Sequence, residues 1–220
     1  MQLNLFTNHD TDYSINNYIL LEENKQVYNL IINDYSWKNI ILYGPKGSGK
    51  THISHIWQEL NNASFIDINN FLDGIKYNDA FILEDIQNIE DEEMLFHCFN
   101  YVKENSKKFL ITSSIPPKQL NFKLNDLSSR ILSVMSVKIS PPSDELLKII
   151  LIKQFADRQL KIDIKVVNYI ISRMERSFHS FNIIVQKISE KLIEHDYNTG
   201  ITIPFVRSIL EENLIVLNLQ

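Results

Sequence analysis

The chain has one cysteine, Cys98, in 220 residues, so no intrachain disulfide can form. That suits a reducing compartment. No run is long and apolar enough to cross a bilayer, and no positive segment followed by an apolar one opens the chain. Neither a membrane partner nor a signal peptide is therefore expected, and the expected location is cytoplasmic. A basic excess is also missing: 22 Lys and Arg against 27 Asp and Glu leave a net charge of -5. This argues against a general nucleic-acid binder, which would carry a basic face. There is no internal repeat and no low-complexity segment. Glycine is scarce, with five in all, yet Gly44, Gly47 and Gly49 fall together.

What is present is enough apolar material, 44% of residues, for one large domain or a main domain with a satellite. Residues 23–34 place Val27, Leu30 and Ile31 at helical spacing. "NIILY" (Asn39–Tyr43) is a short apolar run of the kind a buried parallel strand shows. A helix is predicted over Thr51–Leu60, a strand over Ala63–Ile68 and a helix near Asn69–Gly74. Further strands are predicted at Ala80–Asp85, Lys108–Ser114 and Ser133–Ile139, with a helix over Glu92–Asn105. Strands alternating with helices imply a parallel sheet covered on both faces.

Pro141-Pro142 marks a boundary, since neither residue can donate to a ladder. Beyond it Ser143 reads as an N-cap, with Asp144 and Glu145 in a first turn favoured by the helix dipole. Three more amphipathic helices follow, so an all-helical subdomain is expected after an α/β core.

Gly44-Pro45-Lys46-Gly47-Ser48-Gly49-Lys50-Thr51 satisfies G-x-x-x-x-G-K-[ST] between a predicted strand and a predicted helix, the context that phosphate-loop chemistry requires. The glycines let backbone N–H groups curl round phosphate oxygens, and the helix N-terminus adds positive partial charge. Lys50 would neutralise β- and γ-phosphates, and the Thr51 hydroxyl would ligate Mg²⁺. An ADP or ATP ligand is expected. The second element should be an apolar strand ending in an acid at the metal, and Ala80-Phe-Ile-Leu-Glu84-Asp85 supplies it. Glu84 then falls at the Mg²⁺ position and Asp85 at the position facing the attacking water. That order is inverted from the usual one, which favours nucleotide binding over efficient hydrolysis. His52, His55 and Glu59 have metal-ligand spacing on one helix, but without a second ligand helix a packed pair is the expectation. His97 beside Cys98 reads as core.

Several segments together resemble one family. "FILEDIQNIED", "FLITSSIPPKQL", "LNDLSSRI", "VKISPPSDELLKIIL" and "ITIPFVRSIL" follow the phosphate loop in the order seen in the AAA+ module of the bacterial replication initiator DnaA. The resemblance runs from about Tyr13 to Leu210. It implies an α/β AAA+ P-loop αβα sandwich, with a five-stranded parallel sheet and a small all-helical lid. Residues 9–142 would form the nucleotide-binding domain and 143–220 the lid.

The chain ends soon after the last lid helix, and a short segment precedes the module. Among DnaA-related proteins it therefore resembles the Hda type of regulator, made of a clamp-binding peptide and one AAA+ module. Proteins of that type dock on the DNA polymerase sliding clamp (the β-clamp) and stimulate hydrolysis of ATP on DnaA. Residues 1–8 would be the clamp peptide, with Gln2, Leu3, Leu5 and Phe6 filling a partner pocket while the backbone stays extended. A terminal strand tucked into the chain's own sheet is the other reading of "QLNLF".

The resemblance also places Arg130 of "SSRI" where the family projects an arginine toward a neighbour's nucleotide. Such a residue can raise hydrolysis by roughly 10³–10⁵ in GTPases; a salt bridge at a helix end is the alternative. Thr112–Ser114 fall at the first sensor, and Ser180 falls where a second sensor arginine would stand, leaving Arg173 or Arg176 as substitutes. Weak intrinsic ATPase activity follows, with no direct sequence-specific DNA binding and homo-oligomerisation left open. An active initiator-like or helicase-loader-like ATPase is the alternative function.

Overall fold

The computed structural model describes residues 13–34, 36–68, 78–194 and 200–217. The proposed clamp residues Gln2, Leu3, Leu5 and Phe6, and the helix expected near Asn69–Gly74, lie outside them. The chain divides into two compact units. One comprises the chain up to Pro45 together with Gly49–Ser140; the other comprises Lys46–Ser48 with everything from Pro141 onward.

The first unit is built on five parallel strands: β1 (Asn39–Tyr43), β2 (Ser64–Phe65), β3 (Ala80–Leu83), β4 (Lys108–Ser113) and β5 (Met135–Lys138). Their order is β2-β3-β4-β1-β5. β1 lies between β4 and β5, with Ile40 opposite Leu110 and Met135. Alternate side chains leave opposite faces of a strand, and both faces here are apolar. Ile41, Phe81, Leu83, Phe109 and Ile111 pack on one side with Leu95, Phe99 and Val102 of α3 (Glu92–Glu104) and Leu127 and Ile131 of α4 (Asn125–Ser133). Ile40, Leu42, Ile82 and Leu110 pack on the other with Ile53, Ile56 and Trp57 of α2 (Lys50–Asn61). This is the expected sandwich, because strands buried on both faces need a helical layer on each.

Local chemistry sets the helix positions. Asp91 caps α3, accepting from the Met94 N–H at 2.8 Å. Glu92, in the first turn, accepts from the N–H groups of Lys123 and Leu124 at 3.0 and 2.8 Å. Those two bonds hold the Glu92 carboxyl below its ordinary range and fix the segment leading into α4.

Two elements differ from expectation. The first helix, α1 (Glu22–Tyr28), passes into a wider turn at Asn29–Asn33, where the Asp34 N–H donates to the Asn29 carbonyl at 3.0 Å and the Asn33 amide donates to the Asn29 side chain. The second strand shortens to two residues because β2 is an edge strand with β3 as its neighbour.

The second unit carries α5 (Asp144–Asp157), α6 (Ile164–Ile171), α7 (Phe178–Glu194) and α8 (Ile203–Leu217). Ser143 caps α5 through the Leu146 N–H at 3.1 Å, and Asp163 caps α6 through the Lys165 N–H at 2.7 Å. Leu147, Leu151, Phe155, Val167, Ile170, Phe181, Val185, Ile188, Val206 and Ile209 form its core. The tip of the glycine-rich loop belongs to this unit: the Phe178 N–H donates to the Gly47 carbonyl at 3.0 Å.

Candidate nucleotide site

The glycine-rich segment leaves β1 at Tyr43 and enters α2 at Lys50. Gly44 is required at the strand exit. Its N–H donates to the Ser113 carbonyl at 3.0 Å, and a Cβ there would lie 2.2 Å from the Ile139 backbone oxygen. Gly49, directly before α2, has φ +93°, a left-handed conformation that L side chains rarely adopt. Lys50 is buried, and its ammonium donates to the carbonyls of Gly44 and Pro45 at 2.8 and 3.0 Å. The cation is thus held inside the curve of the loop.

Next to it stands the acid at the end of β3. The Thr51 hydroxyl donates to the Glu84 carboxylate, while Glu84 Oε1 is buried with no hydrogen-bond partner. Burial pushes the Glu84 carboxyl above its ordinary range and the Asp85 charge adds to this, against the Thr51 bond, His55 and Lys50. A hydroxyl, a carboxylate with an unused oxygen, and a lysine at the start of a helix form a donor set that fits a phosphate chain with a divalent cation. Thr51 and Glu84 would hold the cation and Lys50 the phosphates. Ser48 Oγ is also buried without a partner.

Asp85 follows in a left-handed conformation, φ 51° and ψ 51°, and is exposed. Its N–H donates to Thr112 Oγ1 at 3.0 Å. Gln87 Nε2 donates to Asp85 Oδ1 at 3.0 Å, and Gln87 Oε1 accepts from the Ser114 N–H at 2.9 Å. The Thr112–Ser114 segment therefore braces Asp85, and the hydroxyls of Thr112 and Ser113 are engaged: both residues are buried, Thr112 Oγ1 accepts from Asp85, and Ser113 Oγ donates to the Ile115 carbonyl at 2.7 Å. Sequence reasoning did not single out Gln87, whose role depends on a turn that two-residue spacing does not reveal.

Arg130 sits in the last turn of α4. Its Nη1 donates to Asn100 Oδ1, and its guanidinium lies over the Phe96 ring, 5.1 Å from the centroid. It lines an open cavity of about 670 Å³ together with Asn39, Lys103, Asp126 and Met135. Asn39 and Met135 begin β1 and β5, whereas the phosphate loop leaves the other end of β1. The guanidinium and the loop thus lie towards opposite ends of β1.

The remaining candidates are accounted for locally. In the second unit Arg176 pairs with Asp144 at 2.7 Å, Arg173 stacks over Tyr169 at 3.8 Å, and Ser180 Oγ lies 2.8 Å from Ser177 Oγ. His52 Nε2 is 3.1 Å from the Ser14 carbonyl oxygen, and His55 stacks on Tyr13 at 4.4 Å, so the pair is packed as expected. No group of three or more potential metal-ligating side chains occurs among the described residues. Cys98 lies in the core, and burial pushes its thiol up to about 12. His97 is exposed, contrary to its expected place in the core, because it falls on the outer side of α3.

The bacterial DnaA ATPase domain family matches residues 57–138, from within α2 to the end of β5. The chromosomal replication initiator protein DnaA of Borreliella afzelii is 27% identical over 235 aligned residues, covering 92% of this chain and 48% of that protein. These matches show similarity to DnaA over part of this chain in the first case and most of its length in the second. The chain spans about half the length of the curated DnaA relatives it matches.

Solved structures agree on the fold. Domain III of Thermotoga maritima DnaA superposes with a TM-score of 0.75 at 18% identity, covering 92% of this chain and 97% of that one. AMPPCP-bound DnaA from Aquifex aeolicus gives 0.67 at 20%, covering 81% and 65%. The Thermotoga maritima RuvB branch migration motor gives 0.69 at 16%, covering 90% and 71%. The DnaA-like α/β architecture is thus shared beyond the initiators. No helix among the described residues is long and apolar enough to cross a membrane.

Proposed function

We propose that this chain is a DnaA-related AAA+ module that binds ADP or ATP with Mg²⁺ and regulates replication initiation by presenting Arg130 to ATP bound on DnaA. The observation that carries this reading is the position of Arg130 towards the end of β1 opposite the phosphate loop. β1 alone separates them by five residues, and at about 3.3 Å per residue a strand of that length spans roughly 13 Å or more. A guanidinium so placed serves a phosphate chain on another molecule. The nucleotide assignment rests on Lys50, Thr51 and Glu84, and gains support from the AMPPCP carried by the Aquifex aeolicus protein.

Docking on the sliding clamp through Gln2, Leu3, Leu5 and Phe6 would bring the module to DNA. The test is hydrolysis of DnaA-bound ATP with clamp-loaded DNA. Wild-type protein should accelerate it and Arg130→Ala should not; no acceleration by wild type refutes the proposal. A second reading, an active initiator-like or helicase-loader-like ATPase, is favoured by Asp85 being exposed and braced at the strand end. It requires turnover and assembly in ATP that Lys50→Ala abolishes.

A further inference from the structure

Asp85 is joined to the end of β4 at two points. Its N–H is fixed by Thr112, and its carboxylate is fixed through Gln87 to the Ser114 N–H. The orientation of the Gln87 amide follows from chemistry. A backbone N–H can only donate, so Oε1 must face Ser114, and the amide nitrogen is left to donate to Asp85. One carboxylate oxygen, Oδ1, is therefore engaged by Gln87. Because the backbone of Asp85 is also held, in a left-handed conformation, Gln87 fixes the rotation of the side chain and not the turn itself.

We propose that Gln87 is a positioning residue for Asp85: it holds Oδ1 so that Oδ2 receives the proton of the attacking water, and it ties that carboxylate to the end of β4. The inference rests on the nucleotide-binding reading above and on the second reading, in which Asp85 serves the chain's own hydrolysis of ATP. In the step concerned, the water oxygen bonds to the γ-phosphorus as the bond to the β-phosphate oxygen breaks. The electron pair of that bond leaves with ADP, and the water proton passes to Asp85 Oδ2. A general base contributes roughly 10²–10⁴ to such a step when its geometry is kept, so a base left to rotate forfeits part of that factor.

Two substitutions separate the two bonds of Gln87. Gln87→Ala removes both. Gln87→Glu keeps an acceptor for the Ser114 N–H but has no donor for Asp85 and sets a like charge beside it. Single-turnover ATP hydrolysis, equilibrium ATP affinity and hydrogen exchange at the Ser114 amide are measured for wild type, both variants, Asp85→Asn and Asp85→Asn combined with Gln87→Ala.

The expected result is about a tenfold fall in turnover for both Gln87 variants with unchanged ATP affinity. Ser114 exchange should be faster in Gln87→Ala alone, and the double variant should be no slower than Asp85→Asn. Full turnover in Gln87→Glu would show that Gln87 only braces β4, and overturns the proposal. So does a Gln87→Ala loss that persists in the Asp85→Asn background, unaltered Ser114 exchange in Gln87→Ala, or wild-type protein that binds ATP without any turnover. Wild-type protein that binds no ATP fails earlier, at the nucleotide reading itself.

Discussion

The Thr51 hydroxyl donates to the Glu84 carboxylate, and the second oxygen of that carboxylate is buried without a partner. Burial raises the Glu84 pKa, so the native chain holds this proton more tightly than the unfolded chain does. The contribution of Glu84 to stability is therefore complete below its ordinary pKa and is lost as pH rises through the raised value. In metal-free buffer, the Tm of Glu84→Gln relative to wild type should climb from acid to neutral pH. Adding Mg²⁺ with nucleotide should stabilise wild type and not the variant. Thermal melts across pH, with and without Mg²⁺, check both halves.

Lys50 holds the loop carbonyls of Gly44 and Pro45 and is the cation proposed to meet the phosphates. Lys50→Ala removes charge-assisted hydrogen bonds worth about 1.5–3 kcal/mol in sum. ATP and ADP affinity should fall by about 10–100-fold. Fluorescent-nucleotide titration measures this directly, and an unchanged Kd would remove the phosphate loop from the site.

Arg130 bonds to Asn100 and covers Phe96, so its removal touches the fold as well as any partner. The side chain is only half-buried, and its loss should cost about 1 kcal/mol or less. In a chain of this size that lowers Tm by about 2–4 °C. Nucleotide affinity of Arg130→Ala should match wild type, because the residue lies away from the loop. A large loss of intrinsic affinity would contradict that placement.

The segment "QLNLF" makes its own prediction. A peptide covering Met1–Asn8 should bind the sliding clamp in a polarisation assay, and the Leu5→Ala, Phe6→Ala pair should abolish binding of the full chain. Undiminished binding by that variant would remove the clamp from the proposed function.

Much of the fold is legible in the residues. "NIILY" and "AFIL" are apolar at every position that the two helical layers cover, and Ser143 with Asp144 and Glu145 announces the helical unit. The glycine-rich loop is legible because its chemistry depends on residues adjacent in the chain. What is not legible depends on partners far apart in sequence. Thr112 is 27 residues from the Asp85 N–H it accepts from, and Asn100 is 30 from Arg130. No periodicity or local propensity encodes these meetings; they exist only once β4 lies beside β3 and α3 beside α4. The widened turn at Asn29–Asn33 is hidden for another reason, since its apolar spacing is still that of a helix.

β1 delivers the phosphate loop at one end and helps wall the cavity of Arg130 at the other. A molecule built this way has a direction. If Arg130 serves a neighbour's nucleotide as proposed, copies or relatives lined up would each offer the guanidinium forward and the nucleotide backward, and a row would have two chemically unlike termini. One terminal member would hold a nucleotide that no neighbour serves, and the other would extend an arginine with nothing to act on. Capping either terminus is then a different act: blocking the first prevents delivery to the row, and blocking the second prevents delivery from it.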